Sequence, residues 1–161
     1  MTKKEEIKQF KSESRMGLSY WLLGTCFTFF TFVIAINPDL FKNNIFLAAQ
    51  LTLAIPLFIT SIFARSKLVY TKHFKKWDKY GFISFIFAYT FLINVIGILL
   101  STLINLKIGL LFFGVNIFAD LLYSYMDISD KKSELKSLFY KDIFFIVILT
   151  LGGILPSLGI Y

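Results

Sequence analysis

Five long apolar runs, each bounded by short polar segments, set the rhythm of this chain. They fall at about Gly17–Ile36, Asn44–Ala64, Gly81–Leu100, Ile108–Met126 and Ile143–Tyr161. Each has about the 20 residues that a helix needs to cross a hydrocarbon core of roughly 30 Å. Four of the runs contain no Asp, Glu, Lys or Arg, and the fourth contains Asp120 alone. A backbone inside lipid must bond to itself, which leaves helices and closed barrels. Continuous apolar runs, rather than short alternating ones, select helices. The expectation is an all-α integral membrane bundle of about five transmembrane helices. The fifth run holds Gly152, Gly153 and Pro156. Membrane helices tolerate both residue types, so it reads as a kinked span, with a re-entrant segment as the alternative. The first run is long for the core of a signal peptide and no A-x-A-like site follows it. Asn37-Pro38-Asp39 reads as a turn instead.

The polar segments alternate in charge along the chain. Lys3, Lys4, Lys8, Lys11 and Arg15 precede the first run. Arg65, Lys67, Lys72, Lys75, Lys76 and Lys79 separate the second from the third, and Lys131, Lys132, Lys136 and Lys141 separate the fourth from the fifth. The two remaining connections carry only Lys42 and Lys107. Basic segments stay on the cytoplasmic side of a membrane. The N-terminus is therefore expected in the cytoplasm and the C-terminus outside, in a multi-pass protein of the cytoplasmic (cell) membrane. Residues 1–16 read as a basic cytoplasmic arm and residues 17–161 as a single bundle. The connections between runs are too short for a separate soluble domain. Composition agrees: 57% of residues are hydrophobic and 17% charged, against roughly 45–50% and about 25% in soluble domains.

The net charge of +7 would suit nucleic acid if it were clustered on a soluble surface. Here the cations flank apolar runs, where anionic lipid headgroups attract them by about 1 kcal/mol each. Lipid is the expected partner, and nucleic acid is not. Within residues 65–80, Tyr70, Phe74 and Trp77 share one helical face, and Lys72, Lys75, Lys76 and Lys79 share the opposite one. That pattern suits a helix lying in the headgroup plane. It makes Arg65, Lys72, Lys75, Lys76, Lys79 and Trp77 the candidate headgroup contacts. Snorkelling lysines beside an aromatic belt would leave the same pattern.

Metal and cofactor chemistry finds little support. Asp127, Asp130 and Glu134 have the spacing of one helical face and would suit a divalent cation. Lys131, Lys132 and Lys136 are interleaved with them, which favours a solvated helix with pairs such as Asp127–Lys131. One histidine, His73, and one cysteine, Cys26, do not make a bis-histidine haem, a His-rich zinc site or a dithiol. No cofactor is expected. Cys26 reads as a small buried apolar side chain.

Polar groups inside the runs carry more information. An acid at the centre of a membrane helix costs about 2.5–3.5 kcal/mol and usually faces a partner in the bundle interior. Asn116, Asp120, Tyr123 and Asp127, spaced 4-3-4, make one stripe on the fourth helix. Thr90, Asn94, Gly97 and Ser101 make a matching stripe on the third. The short turn around Asn105 joins the two as an antiparallel hairpin, with Asn116 level with Asn94 and Asp120 level with Thr90. The stripes read either as a polar pathway with Asp120 as cation or proton acceptor, or as an interhelical hydrogen-bond clamp. Gly17, Gly24, Thr28, Thr31 and Ala35 on the first helix, and Thr150, Gly153 and Ser157 on the fifth, read as small faces for close helix packing. Pro56 and Pro156 are expected to kink their helices.

In length and helix number the chain resembles the tryptophan-rich sensory proteins, but Trp21 and Trp77 do not make that family's tryptophan pattern. Asn116 and Asp120 resemble the Asn…Asp pair of lipoprotein signal peptidase, whose second catalytic aspartate has no counterpart in another run. There is no TVGYG filter of a potassium channel, and no spaced Asp array of a CDP-alcohol phosphotransferase.

Three functions stay open. One is a transport or channel-type bundle, with Asp120, Asn116, Asn94, Thr90 and Tyr123 along a path between the third and fourth helices. Another is an accessory, assembly or immunity-type protein that acts by binding another membrane protein, whereas a homo-oligomer belongs with the transport reading. The third is a membrane-embedded enzyme, which lacks an embedded histidine and an activated nucleophile.

Overall fold

A computed structural model describes residues 3–68, 74–129 and 135–160. They are almost wholly helical, and no strand occurs among them. Helix α1 runs over Lys3–Ile36, α2 over Asp39–Asn43, α3 over Ile45–Leu68, α4 over Phe74–Leu103, α5 over Leu106–Ser129 and α6 over Leu135–Leu149. A π-helical segment over Thr150–Ile154 and a last turn, α7 (Leu155–Ser157), continue α6. Five helices are long and apolar enough to cross a membrane: Ser12–Ile36, Ile45–Leu68, Lys76–Leu103, Leu106–Met126 and Tyr140–Ser157.

These helices overrun the apolar limits drawn from hydropathy. α1 is one helix of 34 residues, so the basic arm is helical from Lys3 onward and continuous with the first run. Residues 65–68 end α3 and residues 74–80 begin α4. On both sides of residues 69–73, which lie outside the described residues, the basic-aromatic segment therefore extends the long helices and makes no separate helix. Lysine and arginine are good helix formers, so a helix that forms over an apolar run has no reason to stop at the first charge. α3 continues through Pro56.

The chain forms two compact units, Met1–Leu92 and Ile93–Tyr161, divided within α4. In the first, α1 packs on α3. Among the described side chains of α1 the buried ones are Ser12, Ser19, Cys26 and Val33, one every seven residues. Those of α3 include Leu47, Leu51, Ala54, Phe58, Ser61, Arg65 and Leu68, alternating by four and three. Such spacing is what two helices crossing at a shallow angle, with knobs in holes, require. Small side chains on α1 admit the larger ones of α3, and Cys26 is one of them. The turn between the two helices is tied by the Leu40 N–H, which donates to the Asn37 carbonyl at 3.1 Å, and by Asn44 Oδ1, which accepts from the Leu47 N–H at 3.0 Å.

The face of α1 expected to pack is the opposite one. Gly17, Gly24, Thr28, Thr31 and Ala35 are all exposed. A seven-residue rhythm of small residues occurs on both sides of α1, and spacing alone does not say which side meets α3. The exposed threonines need no partner, because Thr28 and Thr31 donate to the Gly24 and Phe27 carbonyls of their own helix at 3.0 Å.

The second unit is built around Phe113. The Asn105 side chain accepts from the Lys107 N–H at 2.8 Å, closing the turn between α4 and α5. A Cβ on Gly97 would overlap the Phe113 ring, and one on Gly109 would overlap Ser101. A Cβ on Gly153 would fall 2.6 Å from the same ring and 2.5 Å from Asn94 Oδ1. Glycine at Gly97 and Gly153 thus makes room for one large aromatic side chain among three helices.

Candidate functional site

The densest polar contact in the second unit lies between α5 and α6. α5 carries Asp120 and, one turn on, Ser124; the first turns of the fifth apolar helix carry Lys141 and Asp142. Lys141 Nζ lies 3.1 Å from Asp120 Oδ1 and 3.1 Å from Asp142 Oδ1. It also donates to Ser124 Oγ at 3.1 Å, and Ser124 Oγ donates to Asp142 Oδ1 at 2.7 Å. An ammonium has three donors, and these partners use all three. The ammonium also stands 5.0 Å from the centre of the Tyr123 ring, within range of a cation–π contact.

Two carboxylates around one ammonium leave one net negative charge. The three side chains are 20% (Asp120), 15% (Lys141) and 14% (Asp142) exposed. Asp120 Oδ2 is enclosed and has no hydrogen-bond partner. A carboxylate oxygen in that position is an acceptor ready for a proton or a small cation.

The other members of the expected pathway are not gathered here. Asn94 is fully buried and donates to the Ile148 carbonyl on α6 at 3.2 Å. Ile148 is seven residues beyond Lys141, about 10 Å along the helix. Asn94 meets α6 where it widens into the π-helical segment. Asn116 donates to the Phe112 carbonyl of its own helix at 2.9 Å, and Ser101 to that of Gly97 at 2.9 Å. Thr90, in the first unit, donates to the Ile86 carbonyl at 2.8 Å. Of the residues singled out in sequence, Asp120 and Tyr123 share a cluster, and its other members, Lys141, Asp142 and Ser124, were not among them. By sequence Lys141 is one of the cations that flank the fifth run. Its signal lay in the complementary charge of Lys141-Asp142 at the start of one run and Asp120 near the end of the preceding one.

A second charged cluster lies in the first unit. Arg65 is 2% exposed. Asp78 Oδ1 on α4 lies 3.5 Å from Arg65 Nη1 and 3.3 Å from Arg15 Nη1 on α1. Ser12 Oγ donates to the Arg65 carbonyl at 3.2 Å. Arg65 is therefore held inside the packing of α1, α3 and α4, and not on the outer surface where a headgroup contact was expected. Its planar fork suits a carboxylate shared with a second arginine. Lys76 and Lys79 are exposed and Trp77 is half-buried. Lys72 lies outside the described residues, as do Asp130, Glu134 and His73, and the side chains of Lys75 and Asp127 are likewise outside them. Among the described residues no group of three His, Cys, Asp or Glu could hold a metal ion.

Comparison with protein-family models, with curated proteins and with solved structures gives no match, so the residues themselves carry the functional reading.

Proposed function

We propose that the chain is a multi-pass protein of the cytoplasmic membrane, with a cytoplasmic N-terminus and an outer C-terminus. In this reading it works as a small transport or channel-type bundle whose charged centre is Asp120–Lys141–Asp142. The observation that carries it is the enclosed, unbonded Asp120 Oδ2 beside an ammonium whose donors are all used. A proton or monovalent cation arriving there neutralises the excess charge without breaking the Lys141 contacts. The expected path between α4 and α5 moves accordingly to the α5–α6 side, since Phe113 against Gly97 fills the α4–α5 seam. An acid is a costly choice for packing alone, and this one keeps an acceptor in reserve.

The test is flux into proteoliposomes, over a panel of protons and common cations, for the native chain and Asp120→Asn. The native chain is expected to conduct at least one of them, and Asp120→Asn to reduce that flux by about tenfold, the effect of about 1.4 kcal/mol. Absence of flux in both, at confirmed insertion, would set the transport reading aside.

The exposed small face of α1 supports a second reading, an accessory or assembly protein that binds another membrane helix. A Cβ at Gly17 or Gly24 would meet nothing within 4 Å, so the face is open to a close-packed partner. Gly24→Leu would then abolish co-purification of that partner without affecting the fold.

A further inference from the structure

Small residues hold α3 and α4 together at one level. A Cβ on Gly81 would lie 3.0 Å from Ala64 Cβ and 3.5 Å from the Ser61 carbonyl oxygen. Ser61 Oγ donates to the Gly81 carbonyl at 2.9 Å. Beside this close contact, large side chains stand apart. Thr60, Phe63 and Ala64 on α3 and Lys76, Trp77 and Tyr80 on α4 line an open groove of about 500 Å³. Its size falls in the roughly 300–1,000 Å³ range of small-ligand sites. The Trp77 and Tyr80 rings pack edge to face with centroids 6.2 Å apart.

We infer that this groove binds one anionic phospholipid, with an acyl chain against Phe63, Trp77 and Tyr80 and the headgroup phosphate on Lys76 Nζ. The level of the groove supplies the class of ligand. The apolar run of α3 ends at Ala64, with Arg65 and Lys67 next, and that of α4 begins at Gly81, just after Lys76 and Lys79. The groove therefore spans the boundary between acyl chains and headgroups, where tryptophan and tyrosine settle. Charge supplies the choice of headgroup. Lys76 is the one charged side chain among the lining residues, and it has no carboxylate partner among the described residues. Asp78, the acid of this stretch, is engaged with Arg15 and Arg65. A zwitterionic headgroup would set its own cation beside Lys76, and an anionic one such as phosphatidylglycerol would not.

The inference rests on the membrane reading, and the two are tested separately by two tryptophans. Trp21 is 75% exposed on α1 and reports general contact with lipid. Trp77 reports the groove. Single-tryptophan variants Trp77→Phe and Trp21→Phe are reconstituted with acyl-brominated phosphatidylglycerol or phosphatidylcholine at equal mole fraction, and quenching of fluorescence is compared. Trp21 is expected to be quenched alike by both lipids. Trp77 is expected to show about a fivefold preference for the anionic lipid, the enrichment that one lysine near the surface provides. Lys76→Gln removes this preference and Lys79→Gln, an equal loss of charge on the same helix, preserves it. Equal quenching of Trp77 by both lipids, or equal loss of preference in both lysine variants, would overturn the site while leaving the membrane reading intact. Absence of quenching of either tryptophan would overturn both.

Discussion

Lys141 is the residue on which the second unit's charge balance turns. Its ammonium holds Asp120, Asp142 and Ser124 together across two helices. Removing one partner of an enclosed ion pair costs far more than the pair contributes, because the other charge stays behind. Lys141→Met, which leaves two carboxylates facing each other, should lower stability in detergent by about 3 kcal/mol. The double variant Lys141→Met with Asp120→Asn should recover part of that loss, as read from thermal unfolding. Additive losses would mean that the two side chains do not interact. Asp78 offers a parallel case. Asp78→Ala strands the buried Arg65 guanidinium and should cost about 3 kcal/mol. Arg15→Ala removes a pair exposed by about a third on each side and should cost about 1 kcal/mol or less. Comparison of the two unfolding midpoints checks the order.

At the scale of elements, spacing fixed that helices exist but left their faces open. The four-three alternation of Leu47, Leu51, Ala54, Phe58 and Ser61 marks the buried face of α3. α1 carries small residues at seven-residue spacing on two opposite faces, Ser12–Ser19–Cys26 and Gly17–Gly24–Thr31, and only packing chooses between them. The choice has a direct consequence. Cys26→Phe places a large ring in a fully buried position and should destabilise the α1–α3 pair by about 1–3 kcal/mol, whereas Gly24→Ala on the open face should be neutral or slightly stabilising through its better helix propensity. Denaturation of each variant in the same detergent separates them; a reversed order would mean that α1 presents its other face to α3. The seam around Phe113 was half legible. The turn at Asn105 sets the register that brings Gly97 against Phe113, but nothing in hydropathy said that Gly153 would meet the same ring, since that depends on where the π-helical segment widens.

At the scale of the molecule, five apolar helices were plain in the sequence because lipid demands a long uninterrupted run for each crossing. The charged centre was less plain. Asp120 stood out as an acid in an apolar run, while Lys141 and Asp142 looked like ordinary flanks, because sequence does not show how far a long helix carries its charges into the packing. The physical reason is that α6 starts at Leu135, well ahead of its apolar run, and carries both charges along the same helix. The transport reading of the charged centre and the proposed lipid site both depend on five crossings of a bilayer. The most direct measurement is thiol labelling from one side of the membrane in a Cys26→Ser background, with single cysteines at the exposed positions Asp39, Asn105 and Ser66. Five crossings with a cytoplasmic N-terminus predict that an impermeant reagent applied outside labels Asp39→Cys and Asn105→Cys at once, and Ser66→Cys only after the membrane is opened. Labelling of all three from the same side would contradict the bundle.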